Sequence, residues 1–248
     1  MRLHKFLASS GVWSRRDAER HILLGHVKLN GDVVSNLGVI IDPLHDLVEW
    51  QNELGWHTVK KTTKFVVYAI NKPIGYTTTV RDPHATKTIM ELVPNEPRVV
   101  PIGRLDKDST GLLLLTNNGD LVQKLTHPSH HVAKTYHIVC QIPPNYDRTK
   151  LSSNLDKVRH GVMLDGKLTA PAIINGVNLN NNQNTVSLNI IISEGMRRQI
   201  RRVMQKIGLN VIQLSRTSIG KLTLQQLNLS PGQYCELTDK EIGLAIYV

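Results

Sequence analysis

The segment PIGRLDKDSTGLLLLTNNG, residues 101–119, says most about the fold of this chain. Its apolar part, Leu112 to Leu115, is short, continuous and bounded by turn residues, as is typical of a fully buried strand. The turn before that strand contains Arg104 and Asp106. Because a carboxylate beside a buried strand is costly to ionise without a paired cation, such a residue is kept mainly for chemistry. Asp106 is therefore the main catalytic candidate; Asp108 is its rival by position, and a structural role for either, in capping the turn or pairing with Arg104, is the alternative.

The composition favours a polyanionic partner. The chain has 248 residues, a net charge of +10 and a hydrophobic fraction of 40%, so it combines a basic balance with enough apolar residues for a core. Aromatic residues make up only 4%, which argues against binding through rows of stacked rings and favours phosphate contacts and RNA shape. Neither a secretory signal nor a membrane-spanning apolar segment is recognisable, and Cys140 and Cys235 fit reduced core thiols. We therefore expect a cytoplasmic protein.

Two helices and a hairpin are predicted within residues 1–50, which we expect to form one small domain. Leu3, Phe6 and Leu7 have the i, i+3, i+4 spacing of an amphipathic helix. Ser14 is followed three residues later by Asp17, a capping-box pattern that begins a second helix. The signals that complete the domain are an end to this helix at Leu24–Gly25, a hairpin turn at Asn30-Gly31 and a strand over Leu47–Trp50.

The rest of the chain is predicted to contain a linker and a second domain. Residues 51–64 are polar, end in several lysines and lack an apolar period, so they are interpreted as the linker. In residues 65–248, strand-like runs mix with two helical patterns without strict alternation, which predicts an α+β fold. The Asn-rich stretch 175–184 is interpreted as an exposed loop. The predicted strands cover residues 65–70, 98–100, 112–115, 136–140, 185–192 and 211–214, and the predicted helices cover 120–125 and 197–207.

Both predicted domains resemble known families. The helix, helix, hairpin order, with Arg2–Leu7, Ser14–Arg16 and Gly25–Gly31, resembles the S4 RNA-binding domain. The turn Gly103–Asp106 with Thr110–Leu112 resembles the catalytic loop of the ribosomal RNA pseudouridine synthases of the RsuA/RluB/RluF branch. The likeness covers nearly the whole chain. It implies a small S4-like domain followed by a catalytic domain with a mixed, mainly antiparallel sheet.

The resemblance also implies roles for individual residues. Asp106 corresponds to the catalytic carboxylate, and Tyr136, in a Lys-x-Tyr strand, corresponds to a ring that lies against the target base with its hydroxyl placed for proton transfer. Arg201 corresponds to an arginine that forms an ion pair with that carboxylate and so keeps it ionised. Arg104 and Leu214 are expected to support the site, although Leu214 fits an ordinary core position nearly as well.

The helical wheel gives independent information about the arginines of the segment 197–207. Arg201 lies at the edge of the apolar stripe, from which a guanidinium can reach into a cleft. Arg198 and Arg202 lie further towards solvent and are better placed for phosphates. Arg197 departs from the commoner family pattern, so its role stays open, and a merely solvated basic helix is the alternative. The full set expected to contact RNA is Arg2, Lys5, Arg15, Arg16, Arg20, Lys28, Arg197, Arg198 and Arg202.

The function that the resemblance implies is isomerisation of a specific uridine in ribosomal RNA to pseudouridine. The reaction needs neither a redox step nor an added group, so no cofactor is expected. No metal is expected either, since His127, His130 and His131 lack further ligands at suitable spacing. We expect a monomer that acts on ribosomal RNA or assembly intermediates, with the large subunit favoured over the small. The alternatives from other classes are a non-catalytic ribosome-assembly factor and a DNA-binding regulator, the latter disfavoured by the early hairpin.

Overall fold

The computed structural model describes residues 1–60 and 64–246. The chain forms two compact units. The first comprises Met1–Val66 together with the short segments Asn95–Val99 and Asn117–Gly119, and the second comprises the remainder.

The first unit contains two helices and a four-stranded antiparallel sheet with the strand order β2-β1-β3-β4. The predicted apolar positions Leu3, Phe6 and Leu7 are all buried. The Ser14 hydroxyl oxygen accepts a hydrogen bond from the backbone N–H of Asp17 at 3.1 Å, so the predicted helix start is confirmed. The elements are α1 Leu3–Ser9, α2 Arg15–Leu23, β1 Val27–Leu29, β2 Asp32–Val33, β3 Val48–Asn52 and β4 Gly55–Thr58.

Part of the segment interpreted as a linker is a hairpin. Strand β3 continues to Asn52, and β4 pairs with it, with Trp50 opposite His57. The strand period was hidden because polar residues such as Gln51, Asn52 and Thr58 interrupt the apolar ones, and no simple alternation results. The hairpin is held by backbone pairing and by Trp50, which packs edge-on against Trp13 with ring centroids 5.3 Å apart. Val59 is buried in the core of the first unit. Residues 61–63 of the predicted linker lie outside the described residues.

An imidazole pair lies beside that tryptophan cluster. The ring of His21 stacks on Trp13 with centroids 4.1 Å apart, and its Nδ1 atom is 3.0 Å from Nδ1 of His26. Two ring nitrogens at this distance share a single proton, so at least one ring is neutral. Burial, followed by the positive charges of Arg20 and His26, lowers the pKa of His21 below its ordinary value, and the nearby Asp17 partly opposes the shift.

Acidification is therefore expected to destabilise the protein through His21. A histidine with a lowered folded-state pKa contributes stability that is complete above its unfolded value of 6.5 and is lost as the pH falls below it. Thermal unfolding followed by tryptophan fluorescence, at pH 7.5 and pH 5.5, is expected to show a smaller loss of stability in His21→Gln than in the unsubstituted protein. Equal losses in the two proteins would count against this assignment.

The second unit is built around a nine-stranded mixed sheet. The main path runs β11-β12-β8-β13-β7-β5-β15, with β14 on β13 and β6 on β7. Among the strand pairings of this sheet in the described part of the chain, only that of β13 with β7 is parallel. The sheet strands are β5 Val67–Lys72, β6 Val100–Ile102, β7 Thr110–Thr116, β8 Lys134–Gln141, β11 Ile173–Asn180, β12 Thr185–Ile192, β13 Asn210–Ile219, β14 Leu222–Thr223 and β15 Tyr234–Glu236, and a separate hairpin contains β9 Met163–Leu164 and β10 Lys167–Leu168.

The second unit also contains helices, which alternate irregularly with the strands along the chain. They include one-turn 3₁₀ helices at Ile89–Leu92, Pro128–His130 and Arg148–Lys150. The predicted α+β class and mainly antiparallel sheet are confirmed, and Leu112 to Leu115 are fully buried as expected. The α-helices are α3 Gly119–Thr126, α4 Leu151–His160, α5 Gln199–Lys206, α6 Leu224–Leu227 and α7 Asp239–Ile246.

The interpretation of residues 175–184 as a loop is wrong for most of that stretch. Strand β11 runs through Asn180 and pairs with β12, and the turn occupies only the residues up to Asn184. β11 is an edge strand in which only Ile174 is buried. Val177 and Leu179 do alternate with asparagines, but both are exposed. The asparagines and Gly176, which are rare in strands, therefore led to the loop interpretation, while backbone groups form the ladder of this edge strand.

The parallel pairing of β7 with β13 requires a glycine. Gly111 has φ +102°, and a Cβ atom added to it would lie 2.2 Å from the carbonyl oxygen of Arg216 and 2.6 Å from its nitrogen. No other residue allows two backbones to approach so closely. This crossing places the turn before β7 next to the side chains of β13.

Candidate active site

A cleft of about 1140 Å³ opens in the second unit. It lies where the turn between β6 and β7 meets β8, β13 and the segment that leads into α5. The residues that line it include Arg104, Asp106, Asp108, Lys134, Tyr136, Arg198, Leu214 and Arg216. The structure thus brings together most of the catalytic and supporting residues predicted from the sequence.

A buried lysine holds the turn that contains Asp106. The Lys72 side chain at the end of β5 is fully buried, and its Nζ donates to the carbonyl oxygens of Pro73, Asp106 and Ser109 at 3.2, 3.1 and 2.7 Å. Burial lowers the pKa of Lys72 to about 8, and the negative charges of Asp108 and Asp106 partly oppose this shift. Lys72 thus binds the backbone oxygen of Asp106, whereas the Asp106 side chain is 35% exposed. Sequence reasoning missed Lys72, although a lysine that directly continues an apolar strand was an available signal.

The arginines beside Asp106 are arranged differently from the predicted ion pair. Arg198 Nη1 lies 3.7 Å from Asp106 Oδ2, and the same guanidinium donates two hydrogen bonds of 3.1 and 2.9 Å to the carboxylate of Asp108. Arg201 donates to the backbone oxygens of Val211 and Asp108 at 2.9 and 2.8 Å, and its Nε lies 3.4 Å from Asp108 Oδ2. Among the described residues, the carboxylate partner of Arg201 is therefore Asp108, and the expected Arg201–Asp106 pair is corrected.

The cause of this difference lies at the start of the helix. The sequence predicted a helix from Arg197, but α5 begins at Gln199, and Arg198 precedes it in the left-handed conformation with φ 50° and ψ 33°. A helical wheel therefore does not describe the direction of Arg198. The wheel did place Arg201 correctly at the edge of the buried stripe, since its side chain is 13% exposed.

The pKa values of Asp108 and Arg198 are shifted mainly by the hydrogen bonds between them. The bonds from Arg198 lower the pKa of Asp108, and the charge of Arg201 adds to this effect. In return, the hydrogen bonds to Asp108 raise the pKa of Arg198. Asp108 therefore stays charged at neutral pH and balances one of the two arginines.

The opposite side of the cleft is formed by neighbouring positions of β8 and β13. Tyr136 and Arg216 are paired in register, and both are buried, as is Leu214. Arg216 Nε donates to the carbonyl oxygen of Leu112 at 2.6 Å, and its guanidinium carbon lies 6.0 Å from the Tyr136 ring centroid. Within the described residues, Nη2 of Arg216 has no hydrogen-bond partner. A buried cation thus lies beside the tyrosine that the sequence analysis singled out.

Lys134 and Arg104 also line the cleft. Lys134 Nζ donates to the carbonyl oxygen of Val132 at 3.0 Å. Burial, with a smaller contribution from the charge of Arg216, lowers the pKa of Lys134 to about 8. Arg104 is exposed. The sequence analysis predicted no role for Lys134, the lysine of the Lys-x-Tyr strand, or for Arg216.

The residues predicted to bind RNA have varied surroundings. Arg197 is exposed, but Arg202, expected to be solvated or to hold phosphate, donates to the Asp165 carboxylate at 2.5 Å. In the first unit, Arg20 lies 3.4 Å from Asp17, and Lys28 Nζ lies 4.3 Å from the centroid of the Trp56 ring. Arg2, Arg15 and Arg16 are exposed, and Lys5 is partly exposed.

Two further observations concern residues 1–60 and 64–246. Their His, Cys, Asp and Glu side chains form no group of three that could hold a metal ion. None of the helices in this part of the chain combines the length and the apolar character needed to cross a membrane.

Comparison with known proteins identifies the family. The model for RNA pseudouridylate synthases matches residues 66–206, and the model for S4 domains matches residues 1–48. The chain belongs to the RNA pseudouridine synthase family. The chain thus contains both the S4 domain and the synthase domain that the sequence motifs predicted.

Relatives match over nearly the full length of the chain. The synthase is 37% identical over 243 residues to ribosomal large subunit pseudouridine synthase B of Bacillus subtilis, covering 97% of this chain and 93% of that protein. It is also 37% identical over 239 residues to an uncharacterized RNA pseudouridine synthase of Rickettsia bellii, covering 96% and 97%.

Solved structures extend the comparison. A crystal structure of a pseudouridylate synthase superimposes with a TM-score of 0.64 at 28% identity and covers 99% of both chains. A chain of the archaeal box H/ACA sRNP Nop10–Cbf5 complex matches 67% of this synthase, and 51% of its own length, with a TM-score of 0.51 at 16% identity. At this low identity, the similarity to the chain of the Nop10–Cbf5 complex shows a shared fold only.

Proposed function

We propose that this synthase isomerises one uridine of large-subunit ribosomal RNA to pseudouridine, with Asp106 as the catalytic carboxylate. The observation that carries the assignment is the position of Asp106. Its backbone is anchored by a buried lysine, and its side chain is partly open to a cleft that Tyr136 also lines. The near full-length similarity to a large-subunit enzyme supports the choice of substrate.

The chemistry needs a charged carboxylate and a route for a proton. The bond between uracil N1 and ribose C1′ breaks, the base turns, a C5–C1′ bond forms and the C5 proton is lost to solvent while N1 gains one. The Asp106 carboxylate either attacks the sugar as a nucleophile or stabilises charge during a glycal-type route. Both routes use an ionised Asp106, and Nη1 of Arg198 lies 3.7 Å from its Oδ2 atom. No oxidation or group addition occurs, so no cofactor enters the proposal.

The other cleft residues orient the base and move the proton. The Tyr136 ring lies against the base, and its hydroxyl takes part in proton transfer at C5. Leu214 supplies an apolar contact, and Arg104 supports the catalytic turn from the same cleft. The buried guanidinium of Arg216 lies 6.0 Å from the Tyr136 ring centroid and adds a positive charge to this side of the cleft.

The substrate uridine must leave its stack to reach the cleft. We propose that the basic side chains hold the flanking RNA backbone, which agrees with the net charge of +10. The protein acts as a monomer in the cytoplasm, on ribosomal RNA or on assembly intermediates. The residues proposed to contact RNA are Arg2, Lys5, Arg15, Arg16, Arg20, Lys28 and Arg197, with Arg198 and Arg202 contributing after exchange of their carboxylate partners.

The direct test uses unmodified ribosomal RNA from both subunits. The RNAs are incubated with the synthase or with Asp106→Asn, and pseudouridine is mapped by mass spectrometry. We expect one new site in the large-subunit RNA that is absent with the variant. A new site in small-subunit RNA would overturn the substrate assignment. RNA binding without any new pseudouridine, on naked RNA and on assembly intermediates, would favour a non-catalytic assembly factor.

Two adjacent arginines of α5 give a further prediction. Arg201→Ala is expected to lower kcat by at least about tenfold, because Asp108 and Val211 lose hydrogen-bond donors and the catalytic turn loses a support. Arg202→Ala, which removes the pair with the exposed Asp165 and a long hydrogen bond to the backbone oxygen of Arg197, is expected to change kcat by less than about threefold. Single-turnover assays at saturating enzyme check this difference, and equal effects would contradict it.

A further inference from the structure

The side of the cleft formed by β8 and β13 carries two cations. Lys134 and Tyr136 are two positions apart on β8, so their side chains lie on the same face of the sheet. Arg216 of β13 is paired with Tyr136 in register, and all three residues line the cleft. Lys134 and Arg216 thus lie beside the ring against which the substrate base is proposed to lie.

These two cations repel each other. Burial, followed by the charge of Arg216, lowers the pKa of Lys134 to about 8. At Lys72 the charges of Asp108 and Asp106 oppose the corresponding shift, but at Lys134 the charged group with the largest effect is another cation. Because two like charges in a buried place are costly, an anion that binds between them is favoured.

Both cations keep hydrogen-bonding capacity for such an anion. Nη2 of Arg216 is buried and has no hydrogen-bond partner among the described residues. An ammonium group has three N–H donors, and Lys134 Nζ donates to one carbonyl oxygen, that of Val132, at 3.0 Å. Arg216 is only 2% exposed, so its charge acts in a region of low dielectric, where electrostatic interactions are strong.

The depth of the pair favours the substrate base over the RNA backbone as its ligand. Arg216 and Tyr136 are buried, whereas Arg197, which lines the same cleft, is exposed. When a nucleotide is flipped, its base enters the pocket and its phosphates stay outside, where exposed arginines can meet them. The anionic group expected beside Lys134 and Arg216 is therefore the uracil ring with its two carbonyl oxygens.

We propose that Lys134 and Arg216 are catalytic residues that bind the carbonyl oxygens of uracil and stabilise the negative charge that the base acquires when it leaves the sugar. This inference rests on the proposed function. When the N1–C1′ bond breaks, its electron pair goes to the base and is shared by N1, O2 and O4, whether Asp106 attacks the sugar or a glycal forms. The delocalised pair then forms the C5–C1′ bond. Loss of the C5 proton and gain of a proton at N1 restore the neutral base.

Single-turnover kinetics and filter binding with the mapped RNA test the proposal. Arg216→Gln is expected to lower kcat by at least about 10²-fold, as for loss of one donor to a developing anion, and Lys134→Met by at least about tenfold. The dissociation constant for RNA should change by less than about threefold, because the base becomes negative only as its bond to the sugar breaks. Arg216→Lys, which keeps the charge, should retain more activity than Arg216→Gln.

The matched control is Arg159→Gln. Arg159 of α4 also donates to a backbone oxygen, that of Ile174, at 3.2 Å, but it lies outside the set of described residues that line the cleft. Its kcat should be unchanged.

Deuterium at C5 of the target uridine identifies the affected step. If the pair stabilises the departing base, cleavage of the N1–C1′ bond limits the rate of Arg216→Gln, and deuterium at C5 should not slow this variant. A clear isotope effect at C5 in Arg216→Gln would place the loss in the later proton transfer and overturn the inference.

The stability of Lys134→Met separates a catalytic role from a structural one. Removal of one of two repelling charges is expected to leave the denaturant midpoint unchanged or to raise it, as is common where a catalytic residue is kept at a cost in stability. A lower midpoint would show that Lys134 is kept for the fold and would overturn its part in the inference.

Two further results would contradict the proposal. Unchanged kcat in both Arg216→Gln and Lys134→Met would exclude it, and a loss of RNA affinity with a weaker salt dependence would show that the pair binds a backbone phosphate instead. If Asp106→Asn is inactive while both cation variants are fully active, only this inference fails. If the unsubstituted synthase forms no pseudouridine, the proposed function fails as well.

Discussion

Replacement of Asp106 by asparagine is expected to lower kcat for pseudouridine formation by at least about 10³-fold. Asparagine keeps the shape of the side chain but can neither attack the sugar nor stabilise positive charge on it. The turn should survive, because Lys72 binds the backbone carbonyl of Asp106 and leaves its carboxylate untouched. The dissociation constant for RNA is therefore expected to change by less than about threefold. Single-turnover assays and filter binding with the mapped RNA measure the two quantities.

The control for this experiment is another aspartate of the second unit. Asp156 pairs with Arg159 on the exposed face of α4, and Asp156→Asn should retain full kcat. A residual rate in Asp106→Asn within tenfold of the unsubstituted synthase would show that the carboxylate is not the central group. A parallel loss of RNA affinity would indicate a collapsed turn instead of lost chemistry.

Gly111→Ala is expected to lower the free energy of unfolding by at least about 3 kcal/mol and to abolish activity. The added methyl carbon would lie 2.2 Å from a backbone oxygen of β13, and a backbone atom cannot rotate away. The strands would have to separate where Asp106 and Arg216 are brought together. Denaturant unfolding at equilibrium measures the loss of stability.

Gly166→Ala is the control that measures the strain of a positive φ without a steric overlap. Gly166 also has a positive φ, +75°, but nothing lies within 4 Å of the position of an added Cβ. Gly166→Ala should therefore cost only about 1 kcal/mol, the ordinary strain of alanine in this region. Equal effects at Gly111 and Gly166 would mean that the strand crossing adjusts to the methyl group.

The sequence allowed the elements with a strong apolar pattern to be predicted. The α1 positions Leu3, Phe6 and Leu7, the buried run of β7 and the full extent of β12 follow from spacing and burial alone. Asp106 and Tyr136 were singled out through motifs, and the structure places both at one cleft.

The features that were missed depend on contacts distant in sequence. The β3–β4 hairpin and strand β11 mix polar and apolar residues without a clear buried face, and their backbone pairing identifies them as strands. The Arg198–Asp108 pair joins residues 90 positions apart and depends on a left-handed residue before α5. Lys72 was overlooked because its role is to bind carbonyl groups, which leaves no trace in a side-chain pattern.

The parallel contact between β7 and β13 also has a consequence for how the enzyme is made. It joins segments about a hundred residues apart, with Thr110 and Leu214 separated by 104 positions. During translation, the catalytic turn is therefore complete in sequence long before its partner strand has been synthesised. The nascent chain must keep the apolar β7 segment from mispairing over that interval, since late-forming, non-local strand contacts are slow and prone to aggregation. The cleft can therefore be completed only after β13, which supplies Leu214 and Arg216 to its lining, has been synthesised.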